Sequence, residues 1–158
     1  MTIPTGAYPS SPVINGGTAW VLHDSGPIDH HDVATGQLQG TVPVTNGPMA
    51  GKPAFGFGSL WVASDDEQLW RVDLASGQLL ATIALPGDVR GSFHLNQPSV
   101  AVSDDAVWVL PTSPDGSKAD LRRLDPQTNE LVGTIPVSGE TTNIAGGYLC
   151  TGGVPGAV

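Results

Sequence analysis

Hydrophobic residues in this chain come in short runs cut by turn residues. Between Pro53 and Pro86 the runs are Ala54 to Phe57, Leu60 to Ala63, Leu69 to Val72 and Leu79 to Leu85. Gly58-Ser59, Asp65-Asp66-Glu67 and Ser76-Gly77 separate them. Runs of that length, bounded by Gly, Asp and Ser, predict four antiparallel strands joined by hairpins. No segment of the unit is long and periodic enough to predict a helix.

The unit recurs along the chain. Asp-x-x-[Thr/Ser]-[Gly/Asn] stands at Asp32 to Gly36, at Asp73 to Gly77 and at Asp125 to Asn129. A tryptophan precedes each one, Trp20, Trp61 and Trp108, and Thr41, Thr82 and Thr134 each follow the Asp by nine positions. The Trp-to-Asp gap is twelve residues in the first two copies and seventeen in the third, where Pro111 to Ser117 adds a loop. Length variation is thus confined to a loop while the Asp-led turn and the strand after it stay fixed.

The two ends carry pieces of the same pattern. Thr2-Ile3-Pro4 matches Thr41-Val42-Pro43 and Thr134-Ile135-Pro136, and Ile144 to Cys150 matches Ile14 to Trp20. A four-stranded unit repeated every forty-odd residues predicts an all-β chain, a β-propeller whose blades are the repeats. The expected organisation is one domain over 1–158. Its full blades span roughly 10–46, 53–86 and 98–138, with a partial terminal blade from 2–8 and 142–152. Innermost strands are expected at Pro12 to Asn15, Pro53 to Phe57 and Pro98 to Ser103. In each blade the Asp accepts backbone N–H bonds, and Gly or Asn supplies a positive φ. Trp20, Trp61 and Trp108 are expected in the wedges between neighbouring blades.

Composition agrees with an all-β reading. The 158 residues include 21 Gly and 14 Pro, too many breakers for a helical bundle, while 39% are hydrophobic, enough for a core. Fifteen acidic residues against 6 basic ones give a formal net charge of −9, and the cations form no patch. A polyanion would be repelled, so no nucleic-acid partner is expected. The N-terminal MTIPTGAYPSSPV has neither a basic nor an apolar signal-like region, and no run approaches membrane-spanning length, so no membrane partner is expected. Cys150 is the only cysteine, which excludes an intrachain disulfide and leaves the compartment open.

The repeats LWV…RVDLASGQLLATI, VWV…RRLDPQTNELVGTIPVSG and AWV…HHDVATGQLQGTVPV resemble those of the YVTN-type and streptogramin-lyase-like propellers of bacteria. The resemblance covers essentially the whole chain. It implies a ring of about six to eight blades, of which about half are present, and a location outside the cytoplasm. Three blades leave apolar faces at both ends. The chain is therefore expected to be a homo-oligomer or a part of a larger propeller, ahead of a ring closed by its own two ends. The Asp-x-x-x-Gly turn is also similar to that of quinoprotein propellers. Their docking Trp is missing, with Gln39-Gly40 and Leu80-Ala81 in its region.

Candidate chemistry is sparse. His30-His31-Asp32 has the composition of a metal cluster, but adjacent strand residues point to opposite faces. The two imidazoles are expected to diverge, His30 onto a solvated position equivalent to Arg71 and Arg123, with no metal bound. Asp65-Asp66-Glu67 and Ser103-Asp104-Asp105 lack the spaced ligands and Gly of a calcium loop and are expected to be turns. Trp70, where the other copies have Asp29 and Arg122, is expected to pack in a core or between blades rather than to stack on a ligand.

The longest connection into an inner strand, Gly87 to Gln97, is expected on the face around the channel mouth, together with the hairpins His23 to Gly26, Asp65 to Gln68 and Pro111 to Ala119. If that face holds a site, its binding residues are expected to be His23, Asp24, Arg90, His94 and Asn96. No nucleophile–base pair is visible, so the leading expectation is a non-catalytic module without cofactor, binding an unidentified small molecule or protein. The resemblance to virginiamycin B lyase implies the alternative, a Mg²⁺-dependent carbon–oxygen lyase. There His94 would be the general base while the metal polarises a carbonyl.

Overall fold

The computed structural model describes residues 9–24, 26–44, 52–64, 68–85, 99–110, 119–137, 141–145 and 148–151, and every regular element among them is a strand. The first blade is β1 (Pro9–Asn15), β2 (Thr18–His23), β3 (Ile28–Asp32) and β4 (Leu38–Val42). The second is β5 (Ala54–Gly56), β6 (Ser59–Ala63), β7 (Gln68–Asp73) and β8 (Leu79–Ala84). The third is β9 (Ser99–Val102), β10 (Val107–Leu110), β11 (Ala119–Leu124) and β12 (Leu131–Val137). In each, neighbours in sequence are neighbours in the sheet, and all pairings are antiparallel. β13 (Thr141–Ala145) and β14 (Tyr148–Thr151) form a further antiparallel pair.

Strand alternation sends every second side chain toward one neighbouring blade and the rest toward the other. Trp20, Leu22, Ile28 and Val42 of the first blade pack against Leu60, Val62, Trp70 and Val72 of the second. Trp61, Ala63, Leu69 and Leu85 then leave the second blade's other face to meet Val100, Val107, Val109 and Leu124 of the third. β6 is consequently buried on both faces, which is why its sequence is a continuous apolar run rather than an alternating one. Trp70 is 2% exposed and belongs to the first of these layers, as its core reading requires. Each large aliphatic side chain withdrawn from water contributes about 1.5–3 kcal/mol, so the gaps between blades, not the sheets themselves, hold most of the stability.

The inner strands meet closely. The amide of Val100 donates to the carbonyl of Lys52 at 3.3 Å, and a Cβ on Gly56 would overlap the Val102 side chain. β13 in turn lies against β9, as β5 does from the other side.

The Asp-led turns are built alike. Asp32 Oδ1 accepts from the amide and hydroxyl of Thr35 at 2.7 and 2.8 Å, and Asp73 Oδ1 from those of Ser76, both at 2.7 Å. Asp125 Oδ1 accepts from the Gln127 amide at 2.7 Å. The amides of Gly36, Gly77 and Asn129 close the turns onto the Asp carbonyls at 2.8, 2.9 and 2.9 Å, with φ of 73°, 66° and 61°. A register shift falls at one place in every copy, at His30/His31, Arg71/Val72 and Arg123/Leu124. The bulge strengthens local twist and aims the side chain before it along the blade face.

These turns make stability depend on pH. The Thr35 hydroxyl, and then its amide, hold the Asp32 carboxyl below the usual carboxylate range, and the Ser76 hydroxyl and amide do the same to Asp73. A carboxylate lowered in the folded state contributes stability that is complete above its unfolded pKa, about 4, and lost as pH falls through the lower folded value. The urea midpoint should therefore drop below about pH 4, and Thr35→Val with Ser76→Ala should flatten that drop. An unchanged acid limb in the double variant would contradict the assignment.

Candidate functional site

The three tryptophans each carry a partner directly across the sheet. Trp20 pairs in register with His30, Trp61 with Arg71 and Trp108 with Arg123. The His30 ring stacks on Trp20 with centroids 4.9 Å apart and planes 25° from parallel. The guanidinium carbons of Arg71 and Arg123 stand 4.8 and 5.9 Å from the indole centroids of Trp61 and Trp108. A cation over an indole face is attracted by the ring quadrupole, and a packed imidazole fills the same space.

Two of these side chains reach forward onto the next blade. Arg71 Nη1 donates to the carbonyl of Pro126 at 2.6 Å and to Asn129 Oδ1 at 2.9 Å, both in the third blade's Asp-led turn, while its Nε donates to Ser59 Oγ at 2.9 Å. His30 occupies the corresponding place one blade earlier, its ring seated against Gly77 in the second blade's turn and against Gly40. His30 is therefore half-buried between blades rather than on the solvated position expected for it, because stacking on Trp20 turns the ring inward. Arg123, in the third blade, donates Nη2 to Asp105 Oδ2 at 2.8 Å within its own blade.

A second cluster lies on the opposite face of the first blade. His23 Nε2 hydrogen-bonds Asp29 Oδ2 at 3.0 Å, and the Thr41 hydroxyl donates to Asp29 Oδ1 at 2.7 Å. His23 ends β2 with the same parity as Ala19 and Val21, so its ring turns into the blade and is buried. Of the residues expected at the channel mouth, Asp24 is exposed on the β2–β3 hairpin beside this buried histidine. Arg90, His94 and Asn96 lie outside the described residues, as do Asp65-Asp66-Glu67. Ser103 and Asp105 form the β9–β10 turn, with Ser103 Oγ donating to Asp105 Oδ1 at 2.9 Å.

His31 points away from His30, as strand alternation demands. It is 2% exposed, and neither ring nitrogen has a hydrogen-bond partner among the described residues. Blades two and three have Val72 and Leu124 at this position, both fully buried. Burying an unsatisfied polar group costs about 1–3 kcal/mol, so His31→Leu should stabilise the chain by about 1–2 kcal/mol in urea denaturation. Destabilisation would show that the imidazole is satisfied. Among the described residues, no three His, Cys, Asp or Glu side chains converge to hold a metal ion.

The clasp was legible only in part. A His or Arg stands two positions before each turn Asp, at His30, Arg71 and Arg123, and that column is the signal that could have located it.

No family model matches the chain, and no curated protein matches it. Solved structures do match in fold. AztD from Citrobacter koseri superposes with a TM-score of 0.70 at 20% identity, over 97% of this chain and 41% of that one. BamB from Moraxella catarrhalis gives 0.57 at 16% identity, over 84% and 36%, and the Pan2 WD40 domain from Neurospora crassa gives 0.65 at 10%, over 87% and 41%. These likenesses and the three four-stranded sheets make the chain a β-propeller protein, and it spans less than half the length of those structures.

Proposed function

We propose that this chain is a non-catalytic interaction module of a β-propeller. Its blades form a rigid scaffold, and a small molecule or protein is held on the loop face around the central channel, at Asp24 together with Arg90, His94 and Asn96 and with His23 as a buried support. The observation that carries the reading is how the described imidazole and guanidinium groups are employed. His30 and Arg71 join blades, and His23 is tied to Asp29 beneath the hairpin that bears Asp24. A scaffold that spends its reactive groups on rigidity presents preformed loops, which lowers the ordering cost of binding.

We assign the repeat to the YVTN-type and streptogramin-lyase-like propellers, on the residues that carry that resemblance. Further blades complete the ring, either from a second copy or from a longer polypeptide, consistent with the 41% share of AztD that the chain spans. The net charge of −9 argues against nucleic acid and anionic membrane surfaces as partners.

The test is a thermal melt with and without Mg²⁺, run beside an incubation with a streptogramin B. The module reading predicts no shift of Tm and no linear product. A raised Tm together with product formation that His94→Ala abolishes would overturn it in favour of the lyase.

A further inference from the structure

The turns that join a blade's first strand to its second, and its third to its fourth, lie together at the end of the blade opposite the loop face. The carbonyls of Gly17 and Gly58 accept from the amides of Val33 and Leu74 at 2.8 and 3.0 Å, locking the two turns of a blade to each other. In all three blades these turns are among the described residues. The inner hairpin of the second blade departs from what its geometry favours. Gly56 pairs with Ser59, leaving Phe57-Gly58 as a two-residue loop with φ of +52° and +67°. Two consecutive positive φ values are the pattern of a type I′ hairpin, whose first position favours Asn, Asp or Gly. A bulky side chain there is an outlier. At the same place, four residues before the blade's tryptophan, the first blade has Gly16, with φ of +59°, and the third has Asp104. Phe57 is 39% exposed and belongs to none of the apolar clusters. Neither the hairpin nor the core calls for its ring. Phe57 lies in the middle blade, with a four-stranded blade on either side, so its exposure is not set by where the chain stops.

The surroundings of the ring are anionic. A Cβ on Gly56 would overlap Val102, which puts Phe57 beside the third blade's Ser103–Asp105 turn. Asp105 is engaged there by Ser103 and Arg123, whereas Asp104 is exposed and has no hydrogen bond or ion pair among the described residues. Asp32, Asp73, Asp125 and Glu130 stand at the same end of the blades, where the guanidiniums of Arg71 and Arg123 are both already bound within the chain. We propose that Phe57 and Asp104 form a docking point for a basic segment of a protein partner. The aliphatic stem of a lysine or arginine lies on the ring, and its charged head meets the carboxylate. Long cationic side chains carry an apolar stem beneath a charged tip, and a cation close to an aromatic ring gains further attraction. A second copy does not suit the position, since its identical end would bring the same anions face to face. The hairpin is held in advance: Ser59 Oγ donates to the Phe57 carbonyl at 3.3 Å and accepts from Arg71 Nε at 2.9 Å, so binding orders little. This surface is at the other end of the blades from Asp24 and does not depend on the loop-face site.

The probe is a displayed library of random short peptides selected on the full chain, the enriched sequences then being synthesised and titrated into the chain and its variants. Enriched peptides should carry Lys or Arg. Their affinity should fall about tenfold in Phe57→Asn, which suits the type I′ turn, and about as far in Asp104→Lys, an exposed position on which the fold does not depend. Phe57→Tyr should bind as the wild type does. Glu130→Lys, the same change of charge elsewhere at this end, should weaken binding about twofold at most. No enrichment, enriched sequences without Lys or Arg, or wild-type affinity in Phe57→Asn and Asp104→Lys overturns the proposal. Equal weakening by Glu130→Lys and Asp104→Lys also overturns it, by reducing the effect to net charge. Asp24→Ala and His94→Ala should leave peptide affinity unchanged, so failure here and failure of the loop-face reading are separate results.

Discussion

Trp61→Ala should destabilise the chain by about 3–5 kcal/mol, while Trp108→Ala, the same substitution one blade later, should cost about 1–2 kcal/mol. Both indoles sit on the second strand of a blade, opposite an arginine. Trp61 is sealed between blades among Ala63, Leu69, Val107 and Leu124, and its Nε1 donates to the Gly56 carbonyl at 3.1 Å. Its removal opens a large cavity with walls on both sides, strands that carbonyl without its indole donor and takes the platform from under Arg71. Trp108 donates Nε1 to Ser103 Oγ at 3.1 Å but is only half-buried, so water refills much of the space that alanine leaves. Urea denaturation of the two variants beside wild type reads the difference. Equal losses would mean that the third blade's outer face is covered as the second's is.

Gly77→Ala should cost about 1.5–3.5 kcal/mol, from two sources that can be separated. Its φ of +66° places it in the left-handed region, where a Cβ adds about 1–2 kcal/mol. That Cβ would also run into the His30 imidazole, which is pinned between Trp20 and Gly40 and cannot swing away without losing its stack. The stacking contribution is about 0.5–1.5 kcal/mol. Gly58→Ala supplies the control: φ is +67° and nothing lies within reach of the new Cβ, so only the backbone penalty applies. Adding His30→Ala to Gly77→Ala should bring its remaining cost to that of Gly58→Ala. If Gly77→Ala and Gly58→Ala cost the same without it, the histidine does not occupy the gap.

The architecture was readable from sequence because it rests on residue types that physics makes scarce. A short side-chain acceptor takes the turn's amides at Asp32, Asp73 and Asp125, a role few residue types fill, and Gly or Asn is favoured at the positive φ that follows. The strand alternation correctly sent His30 and His31 to opposite faces and Trp70 into packing. The clasp between blades was harder to read, since its acceptor at Pro126 is a backbone carbonyl that every residue possesses, and the donor column mixes His with Arg. The sequence placed His23 in a hairpin loop, but it belongs to the end of a strand, where parity with Val21 turns its ring toward Asp29. That bond could not be anticipated, because Asp29 faces Thr41 only in the first blade, Trp70 and Arg122 standing at its place in the others.

The most direct measurement of the central claim, that the tryptophan-backed Arg71 fastens the second blade to the Asp-led turn of the third, is a double-mutant cycle between Arg71→Ala and Asn129→Gly. Glycine keeps the positive φ of Asn129 while removing the amide that Arg71 grips. The two positions are 58 residues apart in sequence, so any coupling between them passes through the gap between blades. Urea denaturation of the four proteins should give a coupling of about 1–2 kcal/mol, whereas strictly additive losses would contradict the account.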